Sequence, residues 1–308
     1  MSAHLSYVEA LVVGAFQGVT ELFPVSSLGH SVLVPALIGG QWARDLDVSA
    51  PKSPYLAFIV GLHVATAAAL LLFFWRDWLR VLAGFASSAR CRRIQTPDER
   101  LAWLLVAATI PVGLAGLALE QLFRTTLGKP VPAAAFLLLN GVVLYAGEVL
   151  RRRVAPADAV VGATADPDGH LDHSDEAIDH RLAQLPVGRG VLIGAAQILA
   201  LLPGISRSGI AIVAGVWRGL SHEDAARFSF LLATPIILAA GLYKIPELFG
   251  PLGAGIGGQV LAGSVASFVS AYLAVRYLTR YFQTRTLTPF AAYCALVGAG
   301  SLLWLTLR

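Results

Sequence analysis

Six apolar stretches recur along the chain, at about residues 55–75, 101–119, 131–150, 228–243, 257–275 and 289–305. Each approaches the roughly 20 residues that a helix needs to cross a hydrocarbon layer. No water is available there to bond the backbone, so such stretches are confined to helices or closed barrels, and uninterrupted runs select helices. Composition agrees: 56% of residues are hydrophobic and 14% charged, against about 25% charged in an ordinary soluble domain. The expected fold is an all-α polytopic membrane protein, with residues 1–308 forming one integral membrane domain.

Two further apolar stretches, about 8–38 and 191–217, are broken in the middle. Pro24 and Pro203 sit at the breaks beside glycines and polar residues, and an internal proline removes a helical hydrogen bond. Each half is too short to span. The simplest expectation is two re-entrant helical hairpins, whose irregular backbone is tolerated only against protein or a watery cavity. The two stretches resemble each other. Offset by 180 positions, Gly14, Ala15, Gln17, Leu22, Ser26 and Gly29 fall on Gly194, Ala195, Gln197, Leu202, Ser206 and Gly209.

Arginines set the topology. The segment after the first span carries Arg76, Arg80, Arg90, Arg92, Arg93 and Arg100. The segment after the third carries Arg151, Arg152, Arg153, Arg181 and Arg189, and that after the fifth Arg276, Arg280 and Arg285. The alternate segments are poorer, so the rich ones are expected in the cytoplasm. Each half then holds one hairpin and three spans. Three is odd, so the halves enter from opposite sides: inverted repeats over 1–150 and 190–308, joined by a cytoplasmic loop 151–189. Inverted repeats place a site at their interface.

The net charge of +4 reflects these topology signals and implies no nucleic-acid partner. Met1–Glu9 lacks a basic region, which argues against a cleaved signal peptide. Cys91 and Cys294 are far apart in sequence and expected on different elements, and read as neither a disulfide framework nor thiol chemistry. In the 151–189 loop, Asp166, Asp168, His170, Asp172, His173, Asp175, Glu176, Asp179 and His180 read as a solvated, mobile segment rather than a metal site.

Ionisable groups at membrane depth are costly, about 2.5–3.5 kcal/mol each on insertion scales, and mark function by default. Gln17 and Glu21 lie one helical turn apart on one face. Glu21 can ligate a hard cation and Gln17 can offer an amide oxygen; magnesium takes the rest of its shell from water and phosphate. The bland alternative for Glu21 is a buried carboxylate paired with a cation. Ser26, Ser27 and His30 follow the proline turn. Ser27 and His30, three apart, share a face if a helix begins near Ser26, and a histidine is the usual base for a serine nucleophile. Ser26 equally suits an N-cap, and His30 could be a packed polar residue. In the second copy, Gly204, Ser206, Ser208 and Gly209 surround Arg207. Glycines free backbone N–H groups for an anion, a helix N-terminus adds its dipole, and arginine supplies a planar fork for phosphate. Capping by the serines, and a structural pair of Arg207 with Glu21, stay open. His63 falls inside the first span, facing either the cavity or the core. The spacings Gly190/Gly194 and Gly215/Gly219 suit close helix packing.

Residues 17–30, together with Pro203–Gly209 and the block Phe228–Pro235, closely resemble the undecaprenyl-diphosphatase family, also called bacitracin-resistance proteins. The resemblance runs from about Ser6 to the C-terminus and departs mainly in the 151–189 loop. It implies a multi-pass enzyme of the bacterial inner membrane, its site opening to the periplasm. Such an enzyme removes the terminal phosphate of undecaprenyl diphosphate to regenerate the lipid carrier for wall polymers, with Mg2+ or Ca2+ as cofactor. The family's acidic motif falls on Gln17 and Glu21, its serine–histidine motif on Ser27 and His30, and its arginine motif on Arg207. The first acidic position is often Glu in the family; Gln17 removes one negative charge, so a cation would rest more on Glu21 and the diphosphate. The expected mechanism has Ser27 attacking with His30 as base, or His30 attacking or activating water directly. Partners are the polyprenyl diphosphate and membrane lipids, and a homodimer is compatible with this plan. The rivals are an inverted-repeat transporter or flippase for an anion or polyprenyl phosphate, and a phosphatase for other isoprenoid diphosphates.

Overall fold

The computed structural model describes residues 5–46, 54–153, 173–250 and 255–307. Among these residues every regular element is a helix. The first broken stretch forms α1 (Tyr7–Leu22) and α2 (Ser27–Ile38), followed by a short α3 (Gly40–Asp45). Ser6 opens α1 with a capping box: its hydroxyl accepts from the Glu9 amide while the Glu9 carboxylate accepts from the Ser6 amide, which satisfies two orphan donors reciprocally. Then come α4 (Pro54–Phe73), α5 (Trp75–Cys91), α6 (Pro97–Leu127), α7 (Pro130–Arg153) and α8 (Asp175–Ala183). The second broken stretch forms α9 (Val187–Ala196), which tightens into a 3-10 turn at Gln197–Leu201, and α10 (Arg207–Trp217). The chain closes with α11 (His222–Phe249), α12 (Gly257–Thr284) and α13 (Thr288–Leu307).

Five of these helices are long and apolar enough to cross a membrane: within α6, α7 and α11, and the whole of α12 and α13. The protein is a multi-pass membrane protein. The first expected span, 55–75, is α4, but the helix turns by 85° at Phe74 into α5. The arginine-bearing segment after it, read from the sequence as a loop, is therefore largely helical. Its pattern explains why: Asp77, Val81, Gly84 and Ser88 are buried on one face while Trp75, Leu79 and Leu82 are exposed on the other, as in a helix lying flat at an interface.

The halves pack across each other. α1 runs against α12, and α9 against α6. Gly14 lies directly on the Gly263 backbone and Gly194 on the Ala108 backbone; a Cβ at either would collide with a carbonyl oxygen. Without a hydrophobic drive between helices in lipid, such close backbone approach is the main source of adhesion. Gly190 packs on Leu104 and Gly215 on Ala225, and Gly219, with φ +95, lies in the turn into α11.

The polar segment before α9 departs from the expected solvated loop. Asp166, Asp168, His170 and Asp172 lie outside the described residues. Beyond them, Ser174 caps α8, and α8 is pinned by ion pairs that are buried at Asp179 and Arg181 and exposed at Asp175. Arg227 on α11 reaches Asp179 at 2.7 Å, Asp77 at 3.1 Å and Asp175 at 2.5 Å. Arg80 adds contacts to Asp77 and Asp179, Arg181 bonds Asp224 at 2.8 Å, and His173 meets Glu223. Charge pairing supplied from α5 and α11 orders what composition alone reads as solvated chain.

Candidate active site

α1 ends where Phe23 leaves the helix and Pro24 prevents its continuation. α2 starts three residues later, after Ser26 takes φ +69. A non-glycine residue there costs on the order of 1–3 kcal/mol and persists only when its surroundings over-determine it. They do. The Ser26 hydroxyl accepts from Gly29 N and from Gly204 N, both at 3.2 Å. Its carbonyl accepts from His30 Nδ1 at 2.7 Å.

The second turn mirrors the first. Ser206 caps α10 and accepts from Gly209 N at 3.2 Å, as Ser26 caps α2. Gly204 has φ +115, and a Cβ there would lie 2.5 Å from the Ala133 carbonyl oxygen. Asn140, fully buried on α7, ties the two turns together. Its amide nitrogen donates to Pro24 O at 3.1 Å and its oxygen accepts from Ser206 N at 3.0 Å. The Ser206 and Ser208 hydroxyls both lie against Phe23 O, at 3.4 and 3.1 Å. Of the residues expected to cradle phosphate, Ser26, Gly204, Ser206, Ser208 and Gly209 thus bond to one another, to Phe23 and to Asn140, joining the two breaks.

The joint brings two helix N-termini to one place, and the first residue of each reaches Glu21. Ser27 Oγ, opening α2, donates to Glu21 Oε2 at 2.5 Å. Arg207 Nη2, opening α10, donates to Glu21 Oε1 at 3.2 Å. Gln17 Nε2 lies 3.2 Å from Glu21 Oε2 and 3.3 Å from His63 Nε2, and His63 is 3.5 Å from the same carboxylate oxygen. His63 therefore faces the site rather than the core. The other end of the Arg207 fork, Nη1, is buried with no hydrogen-bond partner. A buried unsatisfied donor costs about 1–3 kcal/mol, more when charged, and this one is carried at the meeting point of two helix dipoles that favour an anion.

Ser27 and His30 do not meet. No hydrogen bond joins them; Ser27 is drawn to Glu21, and His30 turns to α13. His30 Nδ1 faces a carbonyl that can only accept, so Nδ1 carries the proton. The neutral ring then presents the lone pair of Nε2, which accepts from Tyr293 Oη at 2.9 Å. Tyr293 also stacks near the imidazole, with centroids 5.7 Å apart and planes 19° off parallel. Asn140 and Tyr293 escaped the sequence reading. A buried Asn inside an apolar span is itself a signal; Tyr293 carries none.

Among the described residues no three His, Cys, Asp or Glu side chains cluster as a metal cage. The donors beside Glu21 are one amide and one imidazole. That set suits a hard cation only when phosphate oxygens complete the shell, which is compatible with a cation that arrives with a diphosphate.

Fold and site together define a multi-pass helical membrane protein with a buried carboxylate–arginine centre built from two broken helices. Residues 10–300 match the family described as bacitracin resistance protein BacA, and the chain belongs to that family. It is 84% identical, over the full length of both chains, to an undecaprenyl-diphosphatase of Mycolicibacterium paratuberculosis (strain ATCC BAA-968 / K-10). It is 83% identical over the same span to one of Mycobacterium avium (strain 104). An undecaprenyl-diphosphatase of Acidiphilium cryptum (strain JF-5) is 44% identical, with 96% of each chain covered.

Proposed function

We propose that this protein hydrolyses undecaprenyl diphosphate to undecaprenyl phosphate and phosphate. Near-identity over the whole length to proteins named for that reaction supports it. The observation that carries the reading at atomic level is the arginine fork: one end of Arg207 is held on Glu21, the other is buried and unbonded beside two helix N-termini. That is a socket for a phosphoryl group.

The diphosphate draws Arg207 off Glu21 and takes a bidentate contact. Glu21 Oε2 receives the Ser27 proton across the existing hydrogen bond. Ser27 Oγ bonds to the terminal phosphorus as the bond from phosphorus to the bridging oxygen breaks; undecaprenyl phosphate leaves with that oxygen. Water then cleaves the phosphoserine, giving phosphate and restoring Ser27. His30 Nε2 takes the water's proton once Tyr293 yields its place. Such transfer relies chiefly on positioning and charge stabilisation. In this scheme Glu21 replaces His30 as partner of Ser27, because the hydrogen bond runs there.

Gln17, through its amide oxygen after reorientation, and Glu21 would hold Mg2+ or Ca2+, which when bound supplies neutralisation of the diphosphate charge. Six spans with two re-entrant hairpins in inverted repeats account for the matching serine caps and for the reciprocal α1–α12 and α9–α6 contacts. By the arginine bias the site opens to the periplasmic face of the inner membrane.

The test is phosphate release from undecaprenyl diphosphate by purified protein in detergent, with no ion gradient. Expected are release that stops on chelation and returns with Mg2+ or Ca2+, and loss in Arg207→Ala and Ser27→Ala. Full turnover by Ser27→Ala would remove the serine step. No release from folded protein under several metals and lipids would favour a transporter.

A further inference from the structure

The amphipathic helix α5 plays no part in the site. One face, carrying Asp77, Val81, Gly84 and Ser88, is buried, with Gly84 seated directly on the backbone at Asp98 and Glu99. The opposite face exposes Trp75 (49%), Leu79 (58%) and Leu82 (58%). At its C-terminal end the Phe85 ring lies 5.0 Å from that of Trp103 on α6, whose indole N–H donates to Ser88. Amphipathic aromatics of this kind concentrate at the membrane–water boundary.

The charge on this element is one-sided. Arg80 and Asp77 are consumed by the Arg227 network. Arg76, Arg90, Arg92, Arg93 and Arg100 are exposed, and none has an ion-pair partner among the described residues. Glu99, next to Arg100, is spent on capping α6, accepting from the Gln95 and Thr96 amides, and Asp98 makes no ion pair with any of these arginines among the described residues. The turn that bears Arg92 and Arg93 is thereby shaped without its positive charge being neutralised.

We propose that α5 and the turn following it form a docking surface for anionic phospholipid headgroups, with the Trp75–Leu79–Leu82 stripe set among the upper acyl chains. The 85° bend from α4 lays the helix in the plane of the interface, and an apolar stripe beside unneutralised arginines is the chemistry that surface attracts.

The chain carries its own probe. Cys91 is exposed among these arginines while Cys294 is buried. Full-length protein is labelled at Cys91 with an environment-sensitive fluorophore, Cys91→Ser serving as the labelling control. It is placed in nanodiscs of phosphatidylcholine with or without phosphatidylglycerol. Phosphatidylglycerol should shift the emission to the blue and shield the probe from iodide. Native mass spectrometry should show the protein retaining phosphatidylglycerol over phosphatidylcholine. In Arg90→Gln/Arg92→Gln/Arg93→Gln that preference should fall about tenfold or more, while the Lys versions of the same three changes keep most of it. Raising salt should weaken the preference, since these charges are exposed. The proposal is overturned if the Gln variant retains phosphatidylglycerol as well as wild type does, or if iodide reaches the probe equally in both nanodiscs. Because the readouts are lipid retention and probe environment, they stand whether or not the hydrolase reading holds.

Discussion

Two of the buried charge groups in this protein are finished to different degrees. Around Arg227 every charge is answered: three carboxylates surround one guanidinium, and Arg80 shares two of them. Around Glu21 one carboxylate is divided among Arg207, Ser27, Gln17 and His63, while Arg207 Nη1 has no partner. Beside it Ser26 holds a strained backbone. A saturated network stores no capacity for a ligand and serves to fix helices. An unsaturated one, held open by a joint that cannot relax, has stabilisation left for whatever arrives. Burial of charge therefore does not by itself mark a catalytic centre.

Exchanging the roles of the two arginines tests that contrast most strongly. Arg207→Ala is expected to lower turnover by about 10³-fold or more, as for removal of a key electrostatic group, with little change in thermal stability in detergent. A stability loss with retained turnover would place Arg207 in the structural class. Arg227→Ala leaves Asp77 and Asp179 buried without their main cation, which costs about 3–5 kcal/mol. It should appear in unfolding measurements, with turnover per folded molecule close to wild type. Gly204→Ala probes the joint between the two regions: with φ +115 and no room for a Cβ, it is expected to cost about 1–3 kcal/mol and to lower turnover by misplacing Arg207. Unchanged kinetics would show that the two turns need not touch. The smallest effect is expected from Tyr293→Phe, which frees His30 Nε2 but leaves the ring contact. A change in turnover of less than about tenfold, with a displaced pH profile, is the predicted signature; an unchanged profile would remove His30 from the proton path.

Much of this was legible in the chain. The long apolar runs leave hydrocarbon no alternative to helices, and prolines at residues 24 and 203 mark both breaks. The internal likeness of the two stretches survives in three dimensions as matched serine caps, and Glu21, Arg207 and Ser27 are costly or reactive enough in apolar surroundings to draw notice. Periodicity in 75–91 was also present, but a dense run of arginines masks an amphipathic pattern when it is read for topology. Segment 173–183 looked like solvated chain because its partners, Arg80, Asp77 and Arg227, sit on other helices.

What the sequence alone determined is the class of structure and the inventory of reactive groups, because hydrophobic length and backbone breakage are local properties. What only the tertiary structure decided is which groups meet. The spacing of Ser27 and His30 fits a dyad on one helix face, yet Ser27 goes to Glu21 and His30 to Tyr293, some 263 positions away. Asn140 sews together two turns that lie far from it in the chain. Hydrogen bonds act over about 3 Å, so their partners are chosen by how the helices pack, and no local pattern encodes that choice.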